Sequence, residues 1–249
     1  MKAHFTSADL KMIAMGTMAI DHMAVAWIYM YGYGTDPVWS KVGIAMRLVG
    51  RMAFPLYGFL LVQGFLHTRN QTAYFLRVLG LAVISEIPFN LVVSGKIFWI
   101  RAQNTLVLLA IALLCLKGLS VYQKTDASSE NDPSAALITS VPASAVFMAA
   151  AGMALAEIFR ADYGAAGILF ILAMYWFRNC PEKRTIAGAA TLALAEGVFY
   201  GGTACAALFF LNRYNGERGR NLGYFPYFFY PFHLLIFYGA GVVIHGIHF

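Results

Sequence analysis

Long apolar stretches recur along almost the whole chain, and they constrain its fold more than any other feature. Hydrophobic residues make up 60% of the 249 residues and charged residues only 12%, whereas about a quarter of a soluble domain is charged. A bilayer core of roughly 30 Å needs about 20 apolar residues per helix, so we predict an all-α polytopic transmembrane bundle of about eight helices. Apolar windows place these helices near residues 10–31, 42–66, 72–93, 104–122, 136–156, 164–178, 185–211 and 224–247.

One hydrophilic segment divides this bundle. Residues 123–134, QKTDASSENDPS, cannot bury enough apolar surface to fold, so we expect a surface loop between two four-helix halves. The halves together form a single transmembrane domain, residues 1–249. The basic N-terminus is similar to that of a signal peptide, but Asp21 and His22 interrupt its apolar run and no A-x-A site follows. We therefore expect a retained first helix.

The charge of the chain points to a membrane rather than to nucleic acid. The formal net charge is +6, and the Lys and Arg residues are scattered at helix ends. Anionic lipid or a phosphate-bearing ligand is the expected counter-charge. If each predicted helix crosses once, nine of the 18 Lys and Arg residues lie on the N-terminal side and nine do not, so the charges predict no orientation. No metal site is predicted, because the cysteines lack metal-binding spacing: Cys115, Cys180 and Cys205.

Polar side chains inside the predicted helices are the second informative feature. A buried ionisable group costs roughly 2.5 to 3.5 kcal/mol in a bilayer, so such groups are functional candidates and should face the bundle interior. If successive helices alternate in direction, these groups form one layer in the membrane half opposite the N-terminus, together with the loop 213–220. The members of the layer are Asp21, His22, Arg47, Arg51, Glu86, Asn90, Asn104, Asp162, Tyr163, Tyr230 and His233.

Each member of this layer also has a purely structural interpretation. In that interpretation Asp21 forms a structural ion pair with Arg47 or Arg51, and the two histidines, His22 and His233, only join helices by hydrogen bonds. Glu86 serves equally well as an arginine partner or as a base. Against this, the convergence of several polar groups at one depth is typical of a site rather than of scattered helix caps.

Several motifs resemble those of one family. They are LKMIAMGTMAIDH, LVGRMAFPLYGFLLVQGFLHTRN, ISEIPFNL, ADYGAAG, and YNGERGR followed by YFFYPFHLLIF. Over roughly residues 10–238, apart from the region of the linker, the chain resembles the TraX family of conjugation-associated membrane proteins. That family is named for the protein that N-acetylates processed F-type pilin, and it is grouped with membrane acyltransferases. The resemblance implies a multi-pass protein of a bacterial inner membrane that uses acetyl-CoA.

The resemblance also implies roles for the polar layer. Acetyl transfer needs a general base, an orienting carboxylate and donors for the thioester oxygen. His22 is the expected base, since neutral imidazole titrates near the working pH, and Glu86 is the expected orienting carboxylate. Asp21 either belongs to the catalytic group or pairs with Arg47 or Arg51. The implied substrate pocket consists of Asn90, Asn104, Asp162, Tyr163, Tyr230 and His233.

Lys11 adds a site for the acyl donor. Larger membrane acyltransferases that acetylate surface sugars carry an arginine followed, after ten residues, by a histidine in the first helix, and here Lys11 stands in that relation to His22. Eleven positions are about three helical turns, so both side chains share one face. Lysine keeps the charge but lacks the bidentate fork of arginine. The residues implied in binding acetyl-CoA are Lys11, Arg47, Arg51, Arg213, Arg218 and Arg220.

Two other functions fit the same residues. A secondary transporter or proton-coupled carrier also places Asp, His, Arg and Glu within the membrane, although no inverted repeat is visible here. A non-catalytic pilin assembly factor would not depend on His22. For an acetyltransferase, the expected acceptor is the N-terminal amine of a pilin-like peptide, and a sugar or lipid-linked amine or hydroxyl is the alternative.

Overall fold

The computed structural model describes residues 4–29, 36–129 and 143–245, and every regular element within these ranges is a helix. The all-α prediction is confirmed. The elements are α1 (Ser7–Met23), which continues as a π-helix (Ala24–Tyr29), α2 (Pro37–Gly50), α3 (Ala53–His67), α4 (Gln71–Ser94), α5 (Thr105–Ser129), α6 (Ala143–Ile158), α7 (Gly164–Trp176), α8 (Pro181–Ala204), α9 (Ala206–Leu211) and α10 (Phe225–His245).

Polar caps set the ends of several helices. At the start of α1, the Thr6 side chain accepts from the backbone N–H of Asp9 and the Asp9 carboxylate accepts from that of Thr6, which is a capping box. The side chain of Asp36 caps α2, and that of Asn70 caps α4. Helix α4 ends at Ser94 and is followed by Gly95, whose φ of 69° is the left-handed conformation common after a helix.

Three segments of the described chain are long and apolar enough to cross a membrane: Pro37–His67, Gln71–Ser94 and Phe225–Val243. The outer surface of the bundle is also apolar. Large side chains such as Val83 and Val243 project outward with 67% and 83% of their area exposed. A hydrocarbon solvent, rather than water, suits such a surface.

The second predicted helix, 42–66, starts earlier than expected and is interrupted. It begins at Pro37, and only Arg51 and Met52 separate the end of α2 from the start of α3. Both residues keep right-handed helical backbone angles, so α2 and α3 continue as one kinked span. The kink lies where Arg51 turns toward the interior of the bundle.

The predicted loop at residues 123–134 is wrong in its first half. Helix α5 extends through residues 123–129, so the polar composition of this stretch did not end the helix. A helix already nucleated by an apolar segment propagates at little cost through polar residues. Residues 130–134, and the first part of the predicted helix 136–156 as far as residue 142, lie outside the described residues.

The predicted single span at 185–211 is also wrong, because the chain turns back at Gly197. This residue has φ 70° and ψ 170°, a conformation almost restricted to glycine. The two arms on either side pack so closely that a Cβ at Gly201 would overlap the backbone of Ala193. At the open end Thr185 donates to the side chain of Asn212. Residues 181–211 therefore form a helical hairpin that begins and ends on one side of the bundle.

The hairpin reverses the direction predicted for the last helix. Helix α10 runs parallel to α1, since His22 contacts His233 and Trp27 donates to the carbonyl of Phe237. The loop 213–220 accordingly lies beside the N-terminus, where Tyr214 bridges to Phe5. The prediction that Arg213, Arg218 and Arg220 share a layer opposite the N-terminus is wrong, because an unpredicted turn shifts all later helices by one crossing.

Candidate active site

An elongated cavity of about 770 Å³ runs from the N-terminal side into the middle of the bundle. Its walls are mainly aromatic and aliphatic side chains of α1, α3, α4 and α10. Cationic side chains line the mouth: Lys11, Arg77, Arg218 and Arg220. Polar side chains line the deep end: Asp21, His22, Asp162, Tyr163 and Tyr230. Lys11 and His22 are eleven residues apart on α1, which corresponds to about 16 Å of helix.

Two histidines meet at the deep end in a fixed hydrogen-bonding order. Nδ1 of His22 lies 2.7 Å from Nε2 of His233, and Nδ1 of His233 lies 2.7 Å from the carbonyl oxygen of Phe229. The carbonyl can only accept, so His233 carries its hydrogen on Nδ1. When both rings are neutral, Nε2 of His233 accepts and Nδ1 of His22 donates. This order leaves the lone pair of Nε2 on His22, the histidine that lines the cavity.

Pairing with an arginine was one of the two roles expected for Asp21, and the structure shows it with both Arg47 and Arg51. Nη1 of Arg47 lies 2.5 Å from one oxygen of Asp21, and Nη2 of Arg51 lies 3.1 Å from the other. A Cβ at Gly50 would overlap the Asp21 side chain, so glycine permits this close approach of α2 to α1. The two arginines thus hold the carboxylate from both sides.

Arg51 has a second carboxylate partner that the sequence analysis missed. Its Nη1 lies 3.0 Å from Oε1 of Glu196, the residue immediately before the turn of the hairpin. The guanidinium also lies over the rings of Tyr163 and Tyr200, at 5.9 and 6.0 Å from their centroids. A carboxylate next to a glycine within an apolar run was the available signal for Glu196.

Asp162 and Tyr163 reach the cavity from the turn between α6 and α7. Thr105 donates a 2.8 Å hydrogen bond to Asp162, and the ring of Tyr163 stacks on Phe54 with centroids 3.9 Å apart. Tyr163 adopts a left-handed φ of 67°, which is uncommon for a bulky residue. These contacts stabilise the strained turn and hold both side chains against the cavity.

Glu86 lies apart from the histidine pair. Its carboxylate accepts a 2.5 Å bond from the side-chain amide of Asn104, which also donates to the carbonyl of Ala82. In the described chain, His233 takes the position on His22 that we expected for Glu86. The Glu86–Asn104 pair instead joins α4 to the start of α5.

The mouth of the cavity is built by the loop that follows α9. Backbone N–H groups of Ser7 and Ala8 donate to the carbonyls of Glu217 and Arg218, so the loop is fastened to the start of α1. Gly219 has a φ of 69°, and a Cβ there would overlap the Thr6 side chain. The loop thereby brings Arg218 and Arg220 to the entrance.

The structure divides the residues expected at the site into two groups. Lys11, Asp21, His22, Asp162, Tyr163, Tyr230, Arg218 and Arg220 line the cavity. The described residues that belong to other contacts are Glu86, Asn90, Asn104, His233, Arg47, Arg51 and Arg213. The sequence analysis missed Arg77 and the tyrosines that line the walls: Tyr57, Tyr74 and Tyr227.

Comparison with known proteins identifies the family. The family model described as "TraX protein" matches residues 6–241. The chain belongs to the TraX family. This TraX protein is similar to the curated "Probable fimbrial assembly protein FimC, serogroup H1" of Dichelobacter nodosus, with 28% identity over 268 residues that cover 95% of this chain and 96% of that protein. No solved structure matches it.

Proposed function

We propose that this TraX protein is a multi-pass acetyltransferase of a bacterial inner membrane that transfers an acetyl group from acetyl-CoA to an amine. The observation that carries the proposal is the His22–His233 pair at the deep end of a cavity with a cationic mouth. The proposed acceptor is the N-terminal amine of a pilin-like peptide. The printed name of the Dichelobacter nodosus relative, a fimbrial assembly protein, supports an acceptor connected with pili.

His22 is the general base in this proposal. Its Nε2 removes a proton from the acceptor amine as the amine nitrogen bonds to the acetyl carbon. The same nitrogen then returns the proton to the departing sulfur, so the products are an amide and a free thiol. Acetyl-CoA supplies the activated thioester, and the cationic side chains at the mouth suit its phosphates.

His233 is a positioning residue rather than a catalytic one. It lies behind His22, and the carbonyl of Phe229 holds it in the tautomer that accepts from Nδ1 of His22. A positively charged His22 is stabilised because Nε2 of His233 can still accept from it. This is the part that a carboxylate plays in other base-orienting pairs.

The decisive measurement is release of CoA thiol from acetyl-CoA by the purified protein in nanodiscs, with and without peptide amines. We expect His22→Ala to lower the rate by at least about 100-fold, the usual contribution of a general base. His4→Ala is the matched control, since His4 is exposed on the protein surface and should leave the rate unchanged. No thiol release by the wild type would reject the proposal.

His233→Gln separates positioning from catalysis. We expect a smaller loss than in His22→Ala, together with a shift in the pH at which the rate is half-maximal, since the altered neighbour changes the proton affinity of His22. A purely structural role would lower the amount of folded protein without moving the pH profile.

A non-catalytic assembly role is the second candidate. The name of the fimbrial relative favours it, and it requires no turnover. It predicts that His22→Ala retains pilin-related function in cells. A carrier is the remaining alternative, and it predicts flux across sealed vesicles without thiol release.

A further inference from the structure

We propose that the cavity mouth faces the cytoplasm and is a binding site for the phosphate groups of a ligand that enters from there. The orientation does not depend on the proposed function. The identity of the ligand as the nucleotide part of an acyl donor does rest on it.

The hairpin at residues 181–211 is the first step of the argument. Its return at Gly197 places residues 213–220 on the N-terminal side, where they contact the start of α1. The start of α8 lies on this side, since Arg184 donates to Asn212 beside the loop and contacts Phe59 of α3. The short junction from α3 to α4 is on the same side, and Lys117 of α5 donates to Thr72 there.

This arrangement gives the bundle a strong asymmetry of positive charge. Eleven Lys and Arg residues lie on the N-terminal side of the described chain: Lys11, Arg69, Arg77, Lys117, Lys124, Arg178, Lys183, Arg184, Arg213, Arg218 and Arg220. Four lie on the opposite side: Lys41, Lys96, Arg101 and Arg160. Short cytoplasmic segments of membrane proteins carry the excess of Lys and Arg, so the N-terminal side is the cytoplasmic one.

The mouth holds more positive charge than its own carboxylates neutralise. All ion pairs shorter than 4 Å within the described residues involve Asp21, Arg47, Arg51 and Glu196 at depth. The two carboxylates beside the mouth, Asp9 and Glu217, hydrogen-bond to Thr6 and Asn215, and Arg220 attracts Asp9 only from beyond ion-pair distance. Four cations around one entrance, with guanidinium groups among them, suit phosphate oxygens.

The walls and the length of the cavity agree with such a ligand. Between the cationic mouth and His22 the lining is mostly apolar and aromatic, which suits an extended uncharged arm rather than a second anion. A ligand with phosphates at one end and a reactive group at the other would therefore reach from the mouth to the histidine. A phospholipid headgroup shares the phosphate chemistry, so the experiment must distinguish the two sources.

The first measurement determines orientation. Single cysteines are introduced at the mouth (Asn221→Cys) and on the opposite side (Ile100→Cys), in a protein whose native Cys115, Cys180 and Cys205 are replaced by serine. Both sites are exposed. In sealed right-side-out spheroplasts, a membrane-impermeant maleimide should label the Ile100→Cys protein at once and the Asn221→Cys protein only after lysis. The reverse pattern would overturn the proposal.

The second measurement tests the site with CoA itself, which carries no acetyl group and so requires no turnover. In nanodiscs of neutral phosphatidylcholine, we expect Lys11→Gln with Arg218→Gln to weaken CoA binding by at least about tenfold, and binding to weaken with added salt. Lys183→Gln, an exposed cation on the same side whose chain neighbours do not line the cavity, should bind as the wild type does.

A comparison with anionic lipid distinguishes a lipid headgroup from a soluble ligand as the source of the phosphate. If the site holds a lipid headgroup, phosphatidylglycerol nanodiscs should raise the melting temperature of the wild type more than that of the double variant, and CoA should not compete. CoA binding that the double variant loses identifies the soluble source. If neither ligand distinguishes the wild type from the double variant, the mouth is not a phosphate site. CoA binding that the double variant loses, without thiol release by the wild type, would reject the acetyltransferase proposal and keep the site, so failures of the two proposals give different results.

Discussion

The deep end and the mouth of the cavity both hold several charged residues, but, among the described residues, the charges are paired within the protein at the deep end and are not paired at the mouth. At depth, Asp21, Arg47, Arg51 and Glu196 form a closed set in which each charge has a partner on another helix. At the mouth, the cations surround an opening, and the carboxylates beside it, Asp9 and Glu217, hydrogen-bond to Thr6 and Asn215 rather than form ion pairs within 4 Å in the described chain. Charges that are paired within the protein stabilise one arrangement of helices, whereas charges held apart around an entrance remain available to a ligand.

The contrast assigns a structural role to the ion pairs of the polar layer and leaves the histidine pair for the proposed chemistry. The ion pairs hold α1, α2 and the hairpin against one another. His22 follows Asp21 in α1, so the same contacts fix the position of His22. The histidine pair forms no ion pair with this set, and His22 contacts an imidazole instead. In the proposed mechanism this suits His22, because a base needs an available lone pair more than it needs a counter-ion.

The largest expected effect on stability comes from removing Arg51 from the ion pairs with Asp21 and Glu196. Arg51→Met leaves two carboxylates without their shared partner, and removing one member of a buried pair costs about 3 to 5 kcal/mol. For a protein of this size we expect the melting temperature to fall by about 10 °C. Thermal unfolding in one detergent provides the measurement.

Arg69→Met is the matched control, because Arg69 is exposed on the N-terminal side. Its effect should stay within about 0.5 kcal/mol. If Arg51→Met were as stable as this control, the deep charges would not be a structural network and the comparison between the two ends would fail.

A smaller effect is expected at the turn of the hairpin. Gly197→Ala forces an L-residue into a conformation almost exclusive to glycine, at a cost of about 1 to 3 kcal/mol. No neighbour lies within 4 Å of the added Cβ, so the loss reports on the backbone alone. Gly202→Ala, in the returning arm and also free of contacts, should be neutral or more stable by up to about 1 kcal/mol.

The hairpin also marks the limit of what the sequence could predict. Apolar windows and the cost of buried charge were enough to predict an all-α bundle and to offer pairing with Arg47 or Arg51 as one of two roles for Asp21. They were not enough to separate one long span from two short arms, since both have the same hydropathy and differ only in the backbone at Gly197. That error placed Arg213, Arg218 and Arg220 on the wrong side of the bundle. The numbers of Lys and Arg residues on the two sides therefore came out equal, whereas in the structure the N-terminal side has the excess.

Side-chain partners were predictable only where opposite charges made the choice. Asp21 had two arginines within reach of one helix face, whereas His22 had several polar candidates. The sequence suggested a carboxylate, Glu86, but the structure provides His233, which the predicted layer also held at the depth of His22. The choice among polar groups at one depth depends on which helices are neighbours, and no local pattern encodes that.

The start of α1 tests how the mouth is held together. Thr6→Ala removes one half of the capping box and the side chain that packs on Gly219, at a cost of about 1 kcal/mol. Thr6→Ser keeps the hydroxyl and should lose much less. If the mouth depends on this anchor, Thr6→Ala should also weaken CoA binding, which is measured in the same nanodiscs. Unchanged stability would show that the loop 213–220 is fastened by its backbone bonds alone.

The smallest effect concerns the acid sensitivity of the same cap. Hydrogen bonds from the Thr6 side chain and backbone lower the pKa of Asp9 below its ordinary value of 3.8. Since the pKa is lower in the folded state, the stabilisation is complete above the ordinary value and is lost as the pH falls through the folded one. The wild type should therefore melt slightly higher than Asp9→Asn at neutral pH, and the gap should close in acid, below about pH 4. A gap that persists in acid would mean that Asp9 stabilises the mouth through its shape rather than its charge.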